Sequence, residues 1–202
     1  MVEKEIKILL SENEFNKILV LSKAIEKKVV VHTNHYFDTD KFLFDKKGAT
    51  IRIRQTGNKY FFSLKITDLK TKEKRLKVSN EYEFKIECTL LKELTENRIS
   101  LLEAHPETKE VLMPWGKAPN NIKYVGKLIT ERTSFRPKID MPYILLDKSI
   151  YLSSADWELE CEVENQHETE VFEAWLEEMN IFGSITKRGK YGRFVDRLSG
   201  KT

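Results

Sequence analysis

The chain has 202 residues, of which 40% are hydrophobic and 33% charged, so it can bury a core beneath a very polar surface. Its 35 basic and 32 acidic residues leave a net charge of +3, which argues against a nucleic-acid-binding protein with a large basic excess. We find no apolar leader and no apolar run of roughly 18 residues, which argues against membrane association. Two cysteines, Cys88 and Cys161, form neither a disulfide framework nor a zinc pattern, so we expect a cytoplasmic protein.

The first half of the chain carries mostly strand patterns. In chain order, the sequence predicts a strand over 2–9, a helix over 12–26, a strand over 29–38, a turn at 45–48, a hairpin formed by 50–55 and 59–67, and either one strand over 74–87 or two that divide near Asn80. Ser11 and Glu14 have the spacing of a capping box, which begins the helix.

The second half mixes amphipathic helices with further strands. The sequence predicts helical structure over 89–117, strands over 122–136, 143–147, 150–153 and 156–164, a helix over 168–180, and a basic tail over 185–198. No repeat or linker interrupts the chain, so we expect a single domain over residues 1–202. About eight strands joined by short turns favour one closed antiparallel barrel or two facing sheets, with helices packed outside.

Charged residues recur at even spacing on several predicted strands. Glu3, Glu5 and Lys7 share one strand face, and Arg52 and Arg54 share another. Paired guanidinium groups suit phosphate, because each can bind two oxygens. Strands with charges directed to water show the same alternation, so these residues alone leave both interpretations open.

Four glutamates alternate along the predicted strand over 156–164, namely Glu158, Glu160, Glu162 and Glu164. The residues between them are apolar, so we expect that face, including Cys161, to be buried. Like charges along one face repel unless cations lie among them. Because carboxylate oxygens suit Mg²⁺ or Mn²⁺, we expect at least two of the four to bind a metal ion. Glu164 stands at the strand end and is expected at the surface.

Other charged residues give weaker signals. Arg132 and Arg136 repeat the even basic spacing, Asp147 fits a turn cap, and most of the basic tail fits surface charge. His32 and His35 differ in strand parity, and no histidine pair has metal-ligand spacing. The sequence contains no glycine-rich phosphate loop and no nucleophile elbow, so any phosphate chemistry would depend on side-chain charges.

Taken together, these segments resemble the CYTH family, also called the triphosphate tunnel metalloenzymes, and in particular its bacterial YjbK-type members. The family's ExExK motif is matched at residues 3–7, and later segments are matched by YFDTDKFLFDKKGATIRIR and LLDKSIYLSSADWELECEVEN. The terminal lysine motif is matched by GKYGRF, where Gly189 stands in place of the usual serine. The matches follow the family's order and span nearly the whole chain.

The resemblance implies an α+β fold, in which helices pack outside an eight-stranded antiparallel β-barrel that forms a triphosphate tunnel. It implies a metal-dependent hydrolase for a linear triphosphate, with inorganic tripolyphosphate first and thiamine triphosphate or a nucleoside triphosphate next. The implied phosphate-binding residues are Lys7, Arg52, Arg54, Lys65, Arg132 and Lys190, with Arg136 as a secondary candidate. The implied ligands of Mg²⁺ or Mn²⁺ are Glu3, Glu5, Glu81, Asp147, Glu158 and Glu160, with Glu83 as an alternative to Glu81. Lys7 and Glu5 would have the catalytic roles.

Two other functions remain open. A class IV-type adenylate cyclase would use the same charges to make cAMP from ATP, although no sequence feature indicates the adenosine pocket that it needs. A non-catalytic polyphosphate- or nucleotide-binding module would keep the basic residues but has no use for two acidic strands. The expected partner is a small-molecule triphosphate, and both a monomer and a homodimer fit the sequence.

Overall fold

This computed structural model describes residues 2–22, 26–71, 76–97, 100–101, 110, 112, 121–185 and 188–201. Its strands are β1 (Val2–Leu10), β2 (Lys27–Asp38), β3 (Ala49–Thr56), β4 (Lys59–Thr67), β5 (Leu76–Ile86), β6 (Lys123–Phe135), β7 (Ile144–Tyr151), β8 (Ser154–Glu162) and β9 (Ser184–Ile185). Its helices are α1 (Glu12–Ser22), α2 (Leu43–Lys46), α3 (Cys88–Thr95), α4 (Gln166–Glu178) and α5 (Lys190–Leu198).

Eight antiparallel strands close into a barrel, which confirms the fold that the sequence predicts. The strands are hydrogen-bonded in the order β5-β4-β3-β2-β6-β7-β8-β1, and β1 also pairs with β5 to close the ring. The short strand β9 pairs with the later part of β1, beyond the part that β5 covers. Closure leaves the alternating side chains of every strand facing either the barrel interior or its outside.

The outer faces of the strands are apolar where helices cover them. Phe15 and Ile18 of α1 and Phe172 and Trp175 of α4 pack against the outer residues of β1, β7 and β8. Cys161 is fully buried in this cluster, as the sequence predicts. A second cluster forms outside β3 and β4, where α3 contributes Leu91 and Leu94. Because side chains alternate along a strand, packing of the outer residues against the helices directs the residues between them into the barrel.

Helix α5 packs against the inner side of the barrel, in contrast to α1 and α4. Its residues Tyr191, Phe194 and Val195 form a buried cluster with Tyr36 of β2 and other inward-facing residues of β6 and β7. The amphipathic helix therefore fills one end of the barrel with apolar side chains, and its first residue, Lys190, faces the remaining interior.

A glycine in β6 makes room for this helix. Pairing of β2 with β6 shifts register after Tyr36, and Gly126 has a φ of 152° at this irregularity. A Cβ atom at Gly126 would lie 2.6 Å from the ring of Phe194, so any larger residue would push α5 outward.

Several predicted element boundaries are confirmed and others are wrong. The Ser11–Glu14 capping box is present, since the Glu14 amide donates to Ser11 Oγ and the Ser11 amide donates to the Glu14 carboxylate. The helix predicted over 12–26 ends at Ser22, whose hydroxyl donates to the Leu19 carbonyl, and Glu26 lies outside it.

Of the two alternatives for residues 74–87, the structure has the single strand: β5 continues through Asn80, because this exposed residue pairs with β1 on one side and β4 on the other. The predicted break between 147 and 150 is absent, because Asp147 and Ser149 find polar partners inside the barrel. β7 ends at Tyr151, and residues 152–153 of the predicted segment form the turn to β8. The helix predicted over 89–117 begins as α3, and most of the rest lies outside the described residues.

None of the described helices is long and apolar enough to cross a membrane.

Candidate functional site

The barrel interior encloses a charged cavity of about 180 Å³, called the tunnel below. Among the described residues, eight cationic and seven acidic side chains line it. The cationic side chains are Lys7, Arg52, Arg54, Lys65, Lys77, Arg132, Arg188 and Lys190, and the acidic ones are Glu3, Glu5, Asp45, Glu81, Asp147, Glu160 and Glu162. Both signs of charge therefore meet in one enclosed space, where water screens them less than it does at a surface.

Glu160 of β8 is the centre of the most buried ion cluster. Its carboxylate lies 3.0 Å from Lys7 Nζ and 2.7 Å from Arg132 Nη2, and it also accepts a hydrogen bond from Lys190. Lys7 pairs directly with Glu160 across the β1–β8 register. Burial opposes the charge of Glu160, but the surrounding cations outweigh it and hold the pKa of this carboxyl well below its usual range.

Helix α5 places Lys190 among three carboxylates. Its Nζ lies 2.8 Å from both Asp147 and Glu158 and also contacts Glu160. Burial alone would lower the pKa of Lys190, but these carboxylates raise it above its ordinary value, as Glu160 and Glu5 do for Lys7. Both lysines are therefore ammonium ions at neutral pH.

Arg132 makes a bidentate ion pair across the β6–β7 register. Its Nε and Nη2 lie 2.8 Å and 2.6 Å from the two oxygens of Asp147, a carboxylate with no solvent exposure. The expectation that Asp147 caps a turn is therefore wrong, because the residue lies in the middle of β7 and faces the tunnel.

A second group of ion pairs lies where β1, β4 and β5 meet. Lys65 Nζ is 2.6 Å from Glu3 and 3.2 Å from Glu5, so one ammonium bridges two carboxylates of β1. Arg52 binds Glu81 at 2.8 Å, and this carboxylate also accepts a hydrogen bond from Ser63. These contacts distinguish Glu81 from Glu83, which is exposed and does not line the tunnel.

Arg54 differs from the other tunnel cations. Among the described residues, its guanidinium has no carboxylate partner, and its Nε donates to Asn34 Oδ1 at 3.3 Å. The neighbouring Arg52 and burial lower the pKa of Arg54 to about 10, which still leaves it charged at neutral pH. A partly buried cation that no carboxylate contacts directly favours an anionic ligand at this position.

The wall beside Arg54 includes an uncharged histidine. His32 lies at the tunnel lining and its Nδ1 is 2.7 Å from Thr56 Oγ1. Burial, with Arg54 and Arg132 nearby, lowers the pKa of His32 to about 4, so the ring is uncharged at neutral pH. The tunnel therefore has a mixed-charge side, formed by β1, β5, β7 and β8, and a side on β2 and β3 that carries cations but few acids.

The structure brings together the twelve main residues that the resemblance implied for phosphate or metal binding, and their roles remain predictions. Glu158 lies just behind the tunnel lining, where Lys190 and Arg193 contact it. The secondary candidate Arg136 is not among them, because it is exposed and its guanidinium lies 4.6 Å above the ring of Tyr143. Glu164 is exposed, as expected.

Sequence analysis missed several residues of the site, including Arg193, Lys77 and the tunnel-lining Arg188. Arg193 was assigned with the tail to surface charge, but it is mostly buried and binds Asp156 at 2.6 Å and Glu158 at 2.9 Å. The helical spacing of three residues from Lys190 could have indicated a shared helix face. Lys77 lines the tunnel, and its even spacing from Glu81 on β5 could have indicated the same direction. Lys187, also in the tail, lies outside the described residues.

A model of the CYTH domain matches residues 1–189, which is most of the chain. The chain belongs to the CYTH family. The Bacillus subtilis (strain 168) protein named "Putative triphosphatase YjbK" is 31% identical over 202 residues, which cover 96% of this chain and 95% of that protein. The predicted resemblance to the family and to its YjbK-type members is therefore confirmed.

Solved structures of CYTH-like proteins share this barrel. A Hippeastrum protein described as "Putative adenylyl cyclase HpAC1", with a dominant triphosphatase activity, is 23% identical and superimposes with a TM-score of 0.80 over 99% of this chain and 97% of that chain. A "putative adenylate cyclase" from Bacillus halodurans is 25% identical, with a TM-score of 0.78 over 95% of this chain and 96% of that chain. The first likeness establishes the fold.

The CYTH family implies a divalent metal ion, and the donor chemistry of the tunnel fits one. Carboxylate oxygens are the ligands that Mg²⁺ and Mn²⁺ prefer. Oxygens of Glu3 and Glu5 already converge on one cation, the Lys65 ammonium. Among the described residues, no group of three or more acidic, histidine or cysteine side chains is arranged as a metal site, because the tunnel carboxylates hold lysines and arginines instead.

Proposed function

We propose that this protein is a metal-dependent triphosphatase that hydrolyses a linear triphosphate in the tunnel, with inorganic tripolyphosphate as the preferred substrate. The observation that carries the proposal is the partly buried Arg54 guanidinium, which faces the tunnel beside Arg52 and Arg132 without a carboxylate partner among the described residues. A chain of phosphate oxygens would supply the missing negative charge along this side.

The charge balance of the tunnel supports metal dependence. Tripolyphosphate carries roughly four to five negative charges near neutral pH, whereas the cavity lining, so far as the structure describes it, has eight cations and seven acids. A nearly neutral lining would bind such an anion weakly, because the carboxylates would repel it. A divalent cation on these carboxylates would reverse their effect, neutralise phosphate charge and polarise an attacking water.

We assign the residues as follows. Lys7, Arg52, Arg54, Lys65, Arg132 and Lys190 bind phosphate oxygens, and Glu3, Glu5, Glu81, Asp147, Glu158 and Glu160 provide the oxygens for Mg²⁺ or Mn²⁺. Lys7 stabilises the charge that develops on the phosphoryl oxygens, and Glu5 keeps it oriented from 3.4 Å. Phosphoryl transfer depends mainly on such positioning and charge stabilisation, which a rigid barrel lining can supply.

We also propose that the CYTH domain extends through α5, beyond the matched residues. Lys190 and Arg193 of this helix hold Asp147 and Glu158, so the site is incomplete without it. Both chain ends would then belong to a single domain over residues 1–202.

The name of the YjbK relative supports a triphosphatase, and that of the Bacillus halodurans structure supports an adenylate cyclase as the second candidate. The charges of the tunnel would serve either reaction, but a cyclase must also hold the ribose hydroxyl against the α-phosphate. The wall near the uncharged His32 is where such an adenosine would lie, since the remaining lining is ionic.

The experiment that tests this proposal is a product assay with purified protein in Mg²⁺ or Mn²⁺ and, separately, tripolyphosphate, ATP and thiamine triphosphate. Phosphate release, fastest with tripolyphosphate, is the expected result. Pyrophosphate together with cAMP would identify a cyclase instead. Tight tripolyphosphate binding without any product would identify a binding module and overturn the proposed catalysis.

A further inference from the structure

Lys65 lies where a cation is held by two carboxylates of β1. Its Nζ is 2.6 Å from Glu3 Oε2 and 3.2 Å from Glu5 Oε1. The register of the barrel dictates this contact, because Lys65 pairs with Glu81 on β5, and β5 in turn pairs with β1 through Ser79 and Glu3. The ammonium therefore reaches across one strand to neutralise charges on the next.

The Lys65 contact is the most accessible of the buried lysine–carboxylate clusters in the tunnel. The side chains of Lys65 and Glu3 are each 20% exposed, whereas that of Lys190 is 13% exposed and its partner Asp147 is fully buried. Lys190 is also held by three carboxylates and Lys65 by two. Of Lys7, Lys65 and Lys190, Lys65 is therefore the one that an incoming ion reaches and displaces most readily.

Lys65 supplies a single positive charge to Glu3, with its Nζ 2.6 Å from the Glu3 carboxylate. A divalent cation would stabilise the charged form of this carboxylate more strongly than one ammonium does, because the Coulomb energy scales with the charge.

We propose that Lys65 is an exchangeable counterion that couples metal binding to substrate binding. In the protein without metal, the ammonium holds Glu3 and Glu5 together and blocks their oxygens. When a divalent cation binds these carboxylates, Lys65 leaves them and turns its charge to a substrate phosphate. Each ligand then favours the other, because both depend on the same displacement. This inference rests on the proposed function for the identity of the anion, but the displacement itself does not require catalysis.

The test is calorimetric titration of the purified protein with Mn²⁺ alone, without substrate. Lys65→Met should bind Mn²⁺ about tenfold more tightly than the wild type, because the competing ammonium is gone. Lys65→Arg, which keeps the charge, should stay near the wild-type affinity. Lys59→Gln removes a charge from the exposed start of the same strand and should change nothing.

Arg54→Gln tests whether the loss of any positive charge in the tunnel tightens Mn²⁺ binding, because it removes a charge that has no carboxylate contact among the described residues. The exchange model would be overturned if Arg54→Gln and Lys65→Met bound Mn²⁺ with equally increased affinity. It would also be overturned if Lys65→Met bound Mn²⁺ no more tightly than the wild type, or if neither the wild type nor Lys65→Met bound Mn²⁺. A thermal shift with Mn²⁺, larger for Lys65→Met than for the wild type, confirms that the variant is folded and that the added ion binds its native state.

The titration also separates this inference from the proposed function. Tighter Mn²⁺ binding by Lys65→Met in a protein whose wild type hydrolyses no triphosphate would support the counterion and refute the triphosphatase. An active wild type with equal Mn²⁺ affinity in both proteins would do the opposite.

Discussion

Replacing Glu160 by glutamine removes the buried negative charge that three largely enclosed cations share. Lys7, Arg132 and Lys190 all contact this carboxylate, which is 5% exposed. Removing one partner of a buried ion pair costs about 3–5 kcal/mol. Each cation keeps another carboxylate here, and the repulsion between Glu160 and Glu158 is relieved, so we expect the lower end, about 3 kcal/mol.

This loss should be visible in thermal unfolding. For a chain of this length, about 3 kcal/mol corresponds to a fall in the melting temperature of about 6–12 °C. Tripolyphosphate without metal should reduce the difference between Glu160→Gln and the wild type, because the anion gives the three cations a new partner. The variant should also need a higher metal concentration for any activity, since one oxygen ligand is neutralised.

Glu164→Gln is the matched control, because it makes the same chemical change at an exposed position on the end of the same segment. It should unfold within about 1 °C of the wild type, as surface substitutions usually do. A Glu160→Gln melting temperature that equals that of Glu164→Gln would refute the claim that this carboxylate holds the cation cluster together. An unchanged metal titration would remove Glu160 from the proposed metal ligands.

Three further predictions can be tested with the same protein. Lys7→Ala should lower kcat/KM for the best triphosphate by about 100-fold or more, whereas Lys4→Ala, at an exposed position on the opposite face of β1, should keep its activity. Wild-type kinetics in Lys7→Ala would remove Lys7 from the site. EDTA should abolish hydrolysis, and added Mg²⁺ or Mn²⁺ should restore it; full activity in metal-free buffer would contradict the metal dependence. Burial opposes the charge of Glu158 and Glu81, but neighbouring cations outweigh it and lower the pKa of each carboxyl to about 2. The unfolded chain therefore binds more protons than the folded protein, and stability should be lost as the pH falls from about 4.5 towards 2. Melting temperatures that stay constant over that interval would show that these carboxylates are not held by cations.

The barrel and most of the site could be predicted from the sequence because strand alternation carries so much of the information. Glu3, Glu5 and Lys7 at even spacing, with Ile6 and Ile8 at the alternate positions that follow, indicate both the charged inner face and the buried outer one. The choice between a barrel and two facing sheets could not be made from alternation, because closure depends on the pairing of β1 with β5, which are distant in sequence.

Other features depend on tertiary contacts that leave little local trace. Arg193 lies in a basic tail that also resembles surface charge, and only the position of α5 against the inner barrel wall turns it towards Glu158. The continuity of β7 depends in the same way on distant partners, since Arg132 and Thr130 of β6 receive the polar residues in the middle of that strand.

The insertion of α5 into the barrel has a consequence for folding kinetics. The ring closes between the first strand and the fifth, and the last helix fills the interior, so the cation cluster requires contacts across almost the full chain length. Such non-local contacts form slowly, because loop closure must precede the interactions that stabilise it. During synthesis β1 can pair with β5 early, but its other edge has no partner until β8 has emerged. In that interval the charges of Glu3, Glu5 and Lys7 disfavour pairing of the open edge with a strand of another chain. The ion pairs of Lys190 with Asp147 and Glu158 cannot form until α5 has emerged.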